Sequence, residues 1–281
     1  MTMWVGTGGI GALVDDADAK VSATDHGFTV GDGIFETMKL VHGRMFLLSW
    51  HFERLHESAK VMRITLPTHA TLTSIVRRVA AANDCGELGR LRLTISAGAG
   101  PLGSARSNSE PTITCAAAPM PPRTGPASLH IARWPRNERS PLAGVKSTSY
   151  AENVLALAEA TAAGATESVF FNTRDELCEC TGANVFVVRD GVALTPPAEA
   201  GLLRGVTRRF VLTLADRDID VREAALTRDD LEHADEVFLT STFQEVRPVT
   251  RIGARELPAG PITAELARRF AAQAAAPTYW T

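Results

Sequence analysis

Leu142-Ala-Gly-Val-Lys-Ser-Thr-Ser-Tyr150 sets a single lysine between a Pro/Gly loop and the expected start of a helix. Lysine is scarce here: of 29 basic residues only Lys20, Lys39, Lys60 and Lys146 are lysines. An amine at such a junction is partly shielded from water and able to reach a carbonyl, which is what Schiff-base chemistry requires. Lys60 sits in an amphipathic pattern and reads as a solvated helical residue. On its own Lys146 reads either as a surface lysine or as such a nucleophile, and the elements around it decide the fold.

Upstream, Gly33–Val41 reads as a strand, with His42-Gly43 turning into a second strand over Arg44–Leu48. Ser49 is the expected cap of a helix whose apolar residues Phe52, Leu55, Ala59 and Met62 recur at helical spacing. Thr71–Ala82 is a further helix. Leu91, Leu93 and Ile95 alternate with Arg92, Thr94 and Ser96, a half-buried strand with one polar face, and Pro111–Ala118 is another strand. Downstream, strands are expected at Leu129–Trp134, Ser168–Asn172 and Val237–Thr242, with helices over Thr148–Ala163 and Gly205–Ala215. Asn184–Arg189, Asp190-Gly191 and Val192–Leu194 spell a hairpin with a favoured turn. Hairpin-joined strands with interspersed helices predict a mixed α+β fold. Four prolines crowd Pro119–Pro126, which reads as a linker between an N-terminal α/β domain, residues 1–118, and a C-terminal domain, residues 127–281.

With 281 residues, 45% of them hydrophobic, the chain is long enough for two modest cores. A net charge of −3 offers no basic excess for nucleic acid. No apolar run reaches membrane-spanning length, and Met1–Val14 lacks the basic start of a secretory signal. Cys85, Cys115, Cys178 and Cys180 make no disulfide framework. These features predict a cytoplasmic enzyme with no nucleic-acid or membrane partner.

Two motifs carry less than they promise. Gly6-Thr-Gly-Gly-Ile-Gly11 matches a dinucleotide fingerprint, yet too little chain precedes it for a βαβ unit, so a flexible N-terminal loop is expected. Cys178 and Cys180 lack the remaining ligands of a metal site and read as buried thiols on either side of Glu179; no metal is expected.

A set of spaced segments does carry weight. Gly31-Asp-Gly-Ile-Phe-Glu-Thr37 and His51-Phe-Glu-Arg-Leu-His-Glu-Ser-Ala59 precede Val145-Lys-Ser-Thr-Ser-Tyr150. Leu177-Cys-Glu-Cys-Thr-Gly-Ala-Asn-Val-Phe186, Gly201-Leu-Leu-Arg-Gly-Val-Thr-Arg208 and Leu239-Thr-Ser-Thr-Phe-Gln-Glu-Val-Arg-Pro248 follow it. In this order they resemble the class IV (fold type IV) pyridoxal-phosphate enzymes, a family of branched-chain and D-amino-acid aminotransferases and 4-amino-4-deoxychorismate lyases. The resemblance implies a two-domain fold with pyridoxal 5′-phosphate between the domains, the C-terminal one being cofactor-binding, and a homodimer acting on a small amino substrate. It also implies roles. Lys146 would hold the cofactor covalently and move the proton at the reacting carbon; Glu179 would pair with the pyridine nitrogen. Arg54, Val206, Thr207 and Thr242 would hold the phosphate. Outside the resemblance, Arg54 reads as an exposed helical residue beside Glu53 and Glu57.

The resemblance points first to 4-amino-4-deoxychorismate lyase, which releases pyruvate and forms 4-aminobenzoate, a folate precursor. Thr37 stands at a lyase-like position and counts as a catalytic candidate, and Lys-Ser-Thr-Ser-Tyr-Ala-Glu-Asn looks lyase-like. Arg92, at a substrate-side position of branched-chain aminotransferases, and Gln244-Glu245 favour the alternative, an aminotransferase of D-amino acids or branched-chain L-amino acids. Tyr150 is either a substrate-side residue or helical core. A pyridoxal-phosphate protein without turnover is the remaining possibility.

Overall fold

The computed structural model describes residues 1–121 and 124–281, so Pro122 and Arg123 of the expected linker lie outside the described residues. The described residues fall into two compact units. One unit gathers the N-terminal elements together with Val145–Tyr150 and Pro277–Thr281; the other takes the remainder through Gly144 and from Ala151 to Ala276. The division is thus not a single cut at the proline-rich segment. The lysine segment, expected in the C-terminal domain, belongs to the first unit.

That first unit contains β1 (Thr2–Thr7), β2 (Ile10–Asp15), α1 (His26–Thr29), β3 (Gly33–Val41), β4 (Arg44–Met45), α2 (Leu48–Met62), α3 (His69–Ala82), β5 (Gly89–Ser96) and β6 (Thr112–Pro119). Its six strands form an antiparallel sheet ordered β2-β1-β6-β5-β3-β4. Alternation along β5 holds through Ile95, and only Ser96 at its end breaks it, buried with its hydroxyl on Asp25: Leu91, Leu93 and Ile95 are fully buried, and they share a core with Ile34, Met38, Phe52, Leu55, Leu72, Ile75 and Val76. Each such side chain, when buried, contributes about 1.5–3 kcal/mol.

The second unit contains β7 (Ala127–Ile131), α4 (Ala151–Ala162), β8 (Glu167–Phe171), β9 (Leu177–Cys180), β10 (Asn184–Arg189), β11 (Val192–Thr195), α5 (Val206–Leu212), β12 (Val221–Glu223), α6 (Arg228–Glu232), β13 (Glu236–Ser241), β14 (Glu245–Ile252), β15 (Arg255–Glu256) and α7 (Pro261–Ala274). Its sheet runs β12-β11-β10-β13-β14-β7-β8-β9, with β15 attached to β14. Parallel pairs β14–β7, β7–β8 and β11–β12 join antiparallel ones, so the sheet is mixed. The Asp190-Gly191 turn takes positive φ at both residues (49° and 78°), the geometry that twists a tight hairpin correctly.

Four local expectations are corrected. The strand after His42-Gly43 stops at Met45, because Leu47 turns into the left-handed region (φ 54°) and gives its N–H to the Tyr279 carbonyl. Leu47, not Ser49, then opens α2, with no side-chain cap. The helix expected from Thr148 starts at Ala151, since Thr148 N–H bonds Gly33 O and the hydroxyls of Thr148 and Ser149 both donate to Gly31 O. Finally, Gly6–Gly11 is not a flexible loop. Gly6 and Gly11 face each other across the β1–β2 hairpin, and a Cβ on Gly6 would meet Ile10 O at 2.4 Å. Those glycines let two backbones approach; they cradle no phosphate.

Gly6→Ala should therefore lower stability by about 1–3 kcal/mol, the usual cost of overpacking. Equilibrium urea unfolding measures it, and an unchanged midpoint would mean that the hairpin tolerates a methyl at this crossing.

Candidate active site

The first unit's candidate residues occupy opposite faces of β3. The segment around Lys146 lies along this strand: Phe35 N–H donates to Lys146 O (3.0 Å), and Ile34 pairs with Ser147. Lys146 N–H also donates to Ser58 Oγ on α2 (3.3 Å). A backbone bond to a strand and a bond to a serine hydroxyl on a helix thus fix where the side chain begins. Its Nζ lies 4.4 Å from the Phe35 ring centroid and 5.9 Å from that of Tyr150. Tyr150 meets Phe35 edge-on at 5.4 Å, just ahead of α4 rather than in a helical core. The Arg92 guanidinium stacks on the same Phe35 ring at 3.7 Å, its Nε donating to Thr94 Oγ1. Half-buried Thr37 stands opposite Arg92 in the β3–β5 register. Lys146, Arg92 and Tyr150 are therefore grouped about one aromatic ring, Phe35, which had no assigned role in the sequence, and Thr37 joins them only through its place opposite Arg92.

On the other face of β3, Glu36 is fully buried. Arg54 grips it as a fork, Nε to Oε1 at 2.8 Å and Nη2 to Oε2 at 2.7 Å, and His51 Nδ1 lies 2.7 Å from Oε2. Burial alone would raise the Glu36 carboxyl; Arg54 and then His51 outweigh it and hold the pKa at about 2. For His51, burial dominates and lowers the pKa, with Glu36 opposing and the charges of Arg54 and Lys146 assisting. Arg54, far from being an exposed helical residue, is buried, while Glu53 and Glu57 on its own helix are exposed.

In the second unit Glu179 projects from β9 between buried Cys178 and Cys180. Its Oε2 accepts the Leu203 N–H (3.0 Å), and Asn184 Nδ2 donates to the Leu203 carbonyl (2.8 Å). The Glu-x-x-x-x-Asn spacing thereby clasps one residue from both sides. Gly205 follows, where a Cβ would stand 2.0 Å from Asn184 Oδ1, and Val206 and Thr207 open α5, both buried, without a side-chain cap. Thr242 is half-buried in the turn after β13.

Arg136 was missed by sequence reading. Its guanidinium stacks on Phe170 (4.1 Å), donates through Nη1 to Glu152 and Asn153, and brings Nη2 to 4.0 Å from Glu179 Oε1. Its Nε and Nη2 are buried without a hydrogen-bond acceptor. A lone arginine after Trp134-Pro gives no periodic signal, so only the structure exposes it.

This chain belongs to the class IV aminotransferase family: the family model matches residues 33–252. A protein of Methanocaldococcus jannaschii with the provisional name branched-chain-amino-acid aminotransferase is 38% identical, covering 92% of this chain and 93% of its own length. The aminodeoxychorismate lyase of Bacillus subtilis is 32% identical over 86% of this chain and 85% of that protein. Among solved structures, the branched-chain aminotransferase of Thermoproteus uzoniensis with norvaline matches with a TM-score of 0.93 and 29% identity, covering 100% of this chain and 98% of that one. A Mycobacterium tuberculosis aminotransferase, matching at 27% identity, was solved in a pyridoxal-phosphate-bound form. The chain is an enzyme of this family, and its cofactor is pyridoxal 5′-phosphate. Each unit holds donors of the kind that group needs: the first a half-buried amine, the second a half-buried carboxylate, a half-buried arginine whose Nε and Nη2 are enclosed without an acceptor, and an uncapped helix start. Among the described residues no helix is long and apolar enough to cross a membrane.

Acid should destabilise the first unit through two groups. Both folded-state pKa values are lowered, so stability is full above the unfolded values and is lost as pH falls. His51 contributes from about 6.5 downward and Glu36 from about 4.5 toward 2. His51→Gln should flatten the fall of the melting temperature between pH 6.5 and 4.5, relative to the parent, in thermal scans across that range. An unchanged slope would count against a buried, neutral His51.

Proposed function

We propose that the protein is an aminotransferase that moves an amino group from a branched-chain L-amino acid to a 2-oxo acid. The observation that carries this reading is Arg92 on the Phe35 ring that Lys146 also approaches, a cation for the substrate α-carboxylate beside the amine. The similarity to branched-chain aminotransferases supports it. It displaces the lyase expectation, which leaned on Thr37 and the residues after Lys146. Lyase activity stays as the second reading because of the Bacillus subtilis relative.

Pyridoxal phosphate supplies the carbonyl that takes up the amine and the electron sink that makes the α-proton acidic. In this reading Lys146 anchors the cofactor covalently, then removes the proton at the substrate Cα and returns it elsewhere as general base and acid. Glu179 keeps the proton on the pyridine nitrogen. Arg54, Thr207 and Thr242, with the backbone N–H groups at Val206 and Thr207, hold the phosphate. Arg92 binds the α-carboxylate, and Thr37 and Tyr150 border the substrate. A homodimer completes the proposal; exposed Val154 and Leu155 on α4, and Phe28 and Leu102 in the first unit, offer apolar surface for it.

Two assays decide between the chemistries. Leucine, isoleucine or valine with 2-oxoglutarate should give glutamate rapidly, and D-alanine little. Aminodeoxychorismate alone should yield no 4-aminobenzoate; pyruvate and 4-aminobenzoate without transamination would reverse the assignment. Borohydride should fix the pyridoxyl group on Lys146, and Lys146→Ala should abolish both this labelling and turnover. Glu179→Gln should keep the cofactor yet lower kcat by about 10²-fold or more, a loss of roughly 3 kcal/mol in barrier terms; undiminished turnover would remove that role. Arg92→Leu should raise KM for amino acid more than it lowers kcat. Sedimentation should show a dimer, and a fully active monomer would end that part of the proposal.

A further inference from the structure

Resting on the reading of Arg54 as a phosphate ligand, we propose that Glu36 and His51 are positioning residues that hold the Arg54 guanidinium ready for the cofactor's phosphate. Glu36 comes from β3 and the other two from α2, three residues apart on its buried face. The carboxylate is fully enclosed and receives bonds on both oxygens, two from Arg54 and one shared with His51. A fork of this kind removes the torsional freedom of a long side chain and fixes the plane of its guanidinium. Glu36 engages one edge of that planar group through Nε and Nη2. Ser58, one turn further along the same helix face, holds the Lys146 backbone. One helix face thus carries both the arginine and a tether for the lysine segment.

Charge and geometry make opposite predictions here, which gives the proposal its test. An ionised Glu36 beside Arg54 and a neutral His51 makes the cluster neutral overall. Removing the Glu36 charge leaves a net positive cluster, which by Coulomb attraction alone binds a phosphate dianion more tightly. If Glu36 acts by positioning, the same change weakens binding instead.

The experiment strips the holoenzyme of cofactor and titrates it spectroscopically with pyridoxal phosphate and with pyridoxal, which lacks the phosphate. The proteins are the parent, Glu36→Gln, Glu36→Asp, His51→Gln and Arg54→Gln, each checked by thermal scan. Arg54→Gln should lose about 10²-fold in affinity for pyridoxal phosphate and much less for pyridoxal, a difference of the size expected for a charge-assisted pair. Glu36→Gln should lose about tenfold selectively for the phosphorylated compound. Glu36→Asp, which keeps the charge but retracts the carboxylate, and His51→Gln should lose selectivity in the same direction, and they carry the test if Glu36→Gln does not fold. Equal losses for both compounds, or tighter phosphate binding in Glu36→Gln, would overturn the positioning role. If Arg54→Gln itself shows no phosphate-selective loss, the reading of Arg54 falls; if only the Glu36 and His51 variants show none, that reading stands and this inference falls.

Discussion

The first unit's site depends on the strict alternation of side chains along β3. Successive residues point to opposite faces of a sheet, so Phe35 and Thr37 face one way while Ile34, Glu36 and Met38 face the other. The outward face presents the ring around which Lys146, Arg92 and Tyr150 gather. The inward face sends a carboxylate into the core, where only a paired charge is tolerable. A one-residue slip would exchange these roles, putting Phe35 against Arg54 and Glu36 in the place of the ring. The eight-residue register with β5 makes such a slip costly.

The second unit solves a related problem with a loop. Leu203 has no strand partner on its two peptide groups, and Glu179 and Asn184 supply bonds to its N–H and C=O. That clasp sets Gly205 against Asn184, where only a hydrogen fits, and so fixes where α5 begins. A carboxylate that also serves as a loop anchor is held in orientation before any ligand arrives, a form of preorganisation.

Much of this was legible in the sequence because the signals are local. Alternation announced β5, the Asp-Gly pair announced its hairpin, and the three-four spacing of Phe52, Leu55 and Ala59 announced α2. The segment order was enough to indicate the family. What escaped was non-local. Nothing near Lys146 shows that its neighbours pair with Gly33–Phe35, more than a hundred positions earlier, so the helix start was misplaced and the return of Val145–Tyr150 to the first unit was not foreseen. Glu36 drew no reading of its own, although His51 and Arg54 on the same face as Phe52 and Leu55 were a sign that the apolar stripe contained a buried charge. The subfamily was not legible for a different reason: Thr37 and Arg92 face each other across two strands, so the features cited for rival chemistries belong to one shared surface.

The segment Pro277–Thr281 has a consequence for biosynthesis. Tyr279 and Thr281 hydrogen-bond Leu47 and Met45, and Trp280 packs on Phe46 at 4.9 Å, closing the edge of the first unit beside β4. Those partners leave the ribosome long before the residues that cover them. The N-terminal sheet must therefore wait, with Phe46 uncovered, until residues 277–281 have been made, and the Val145–Tyr150 segment also joins it late. For this unit an early-made edge is completed only by residues more than two hundred positions later, which leaves a nascent apolar edge for chaperones to guard.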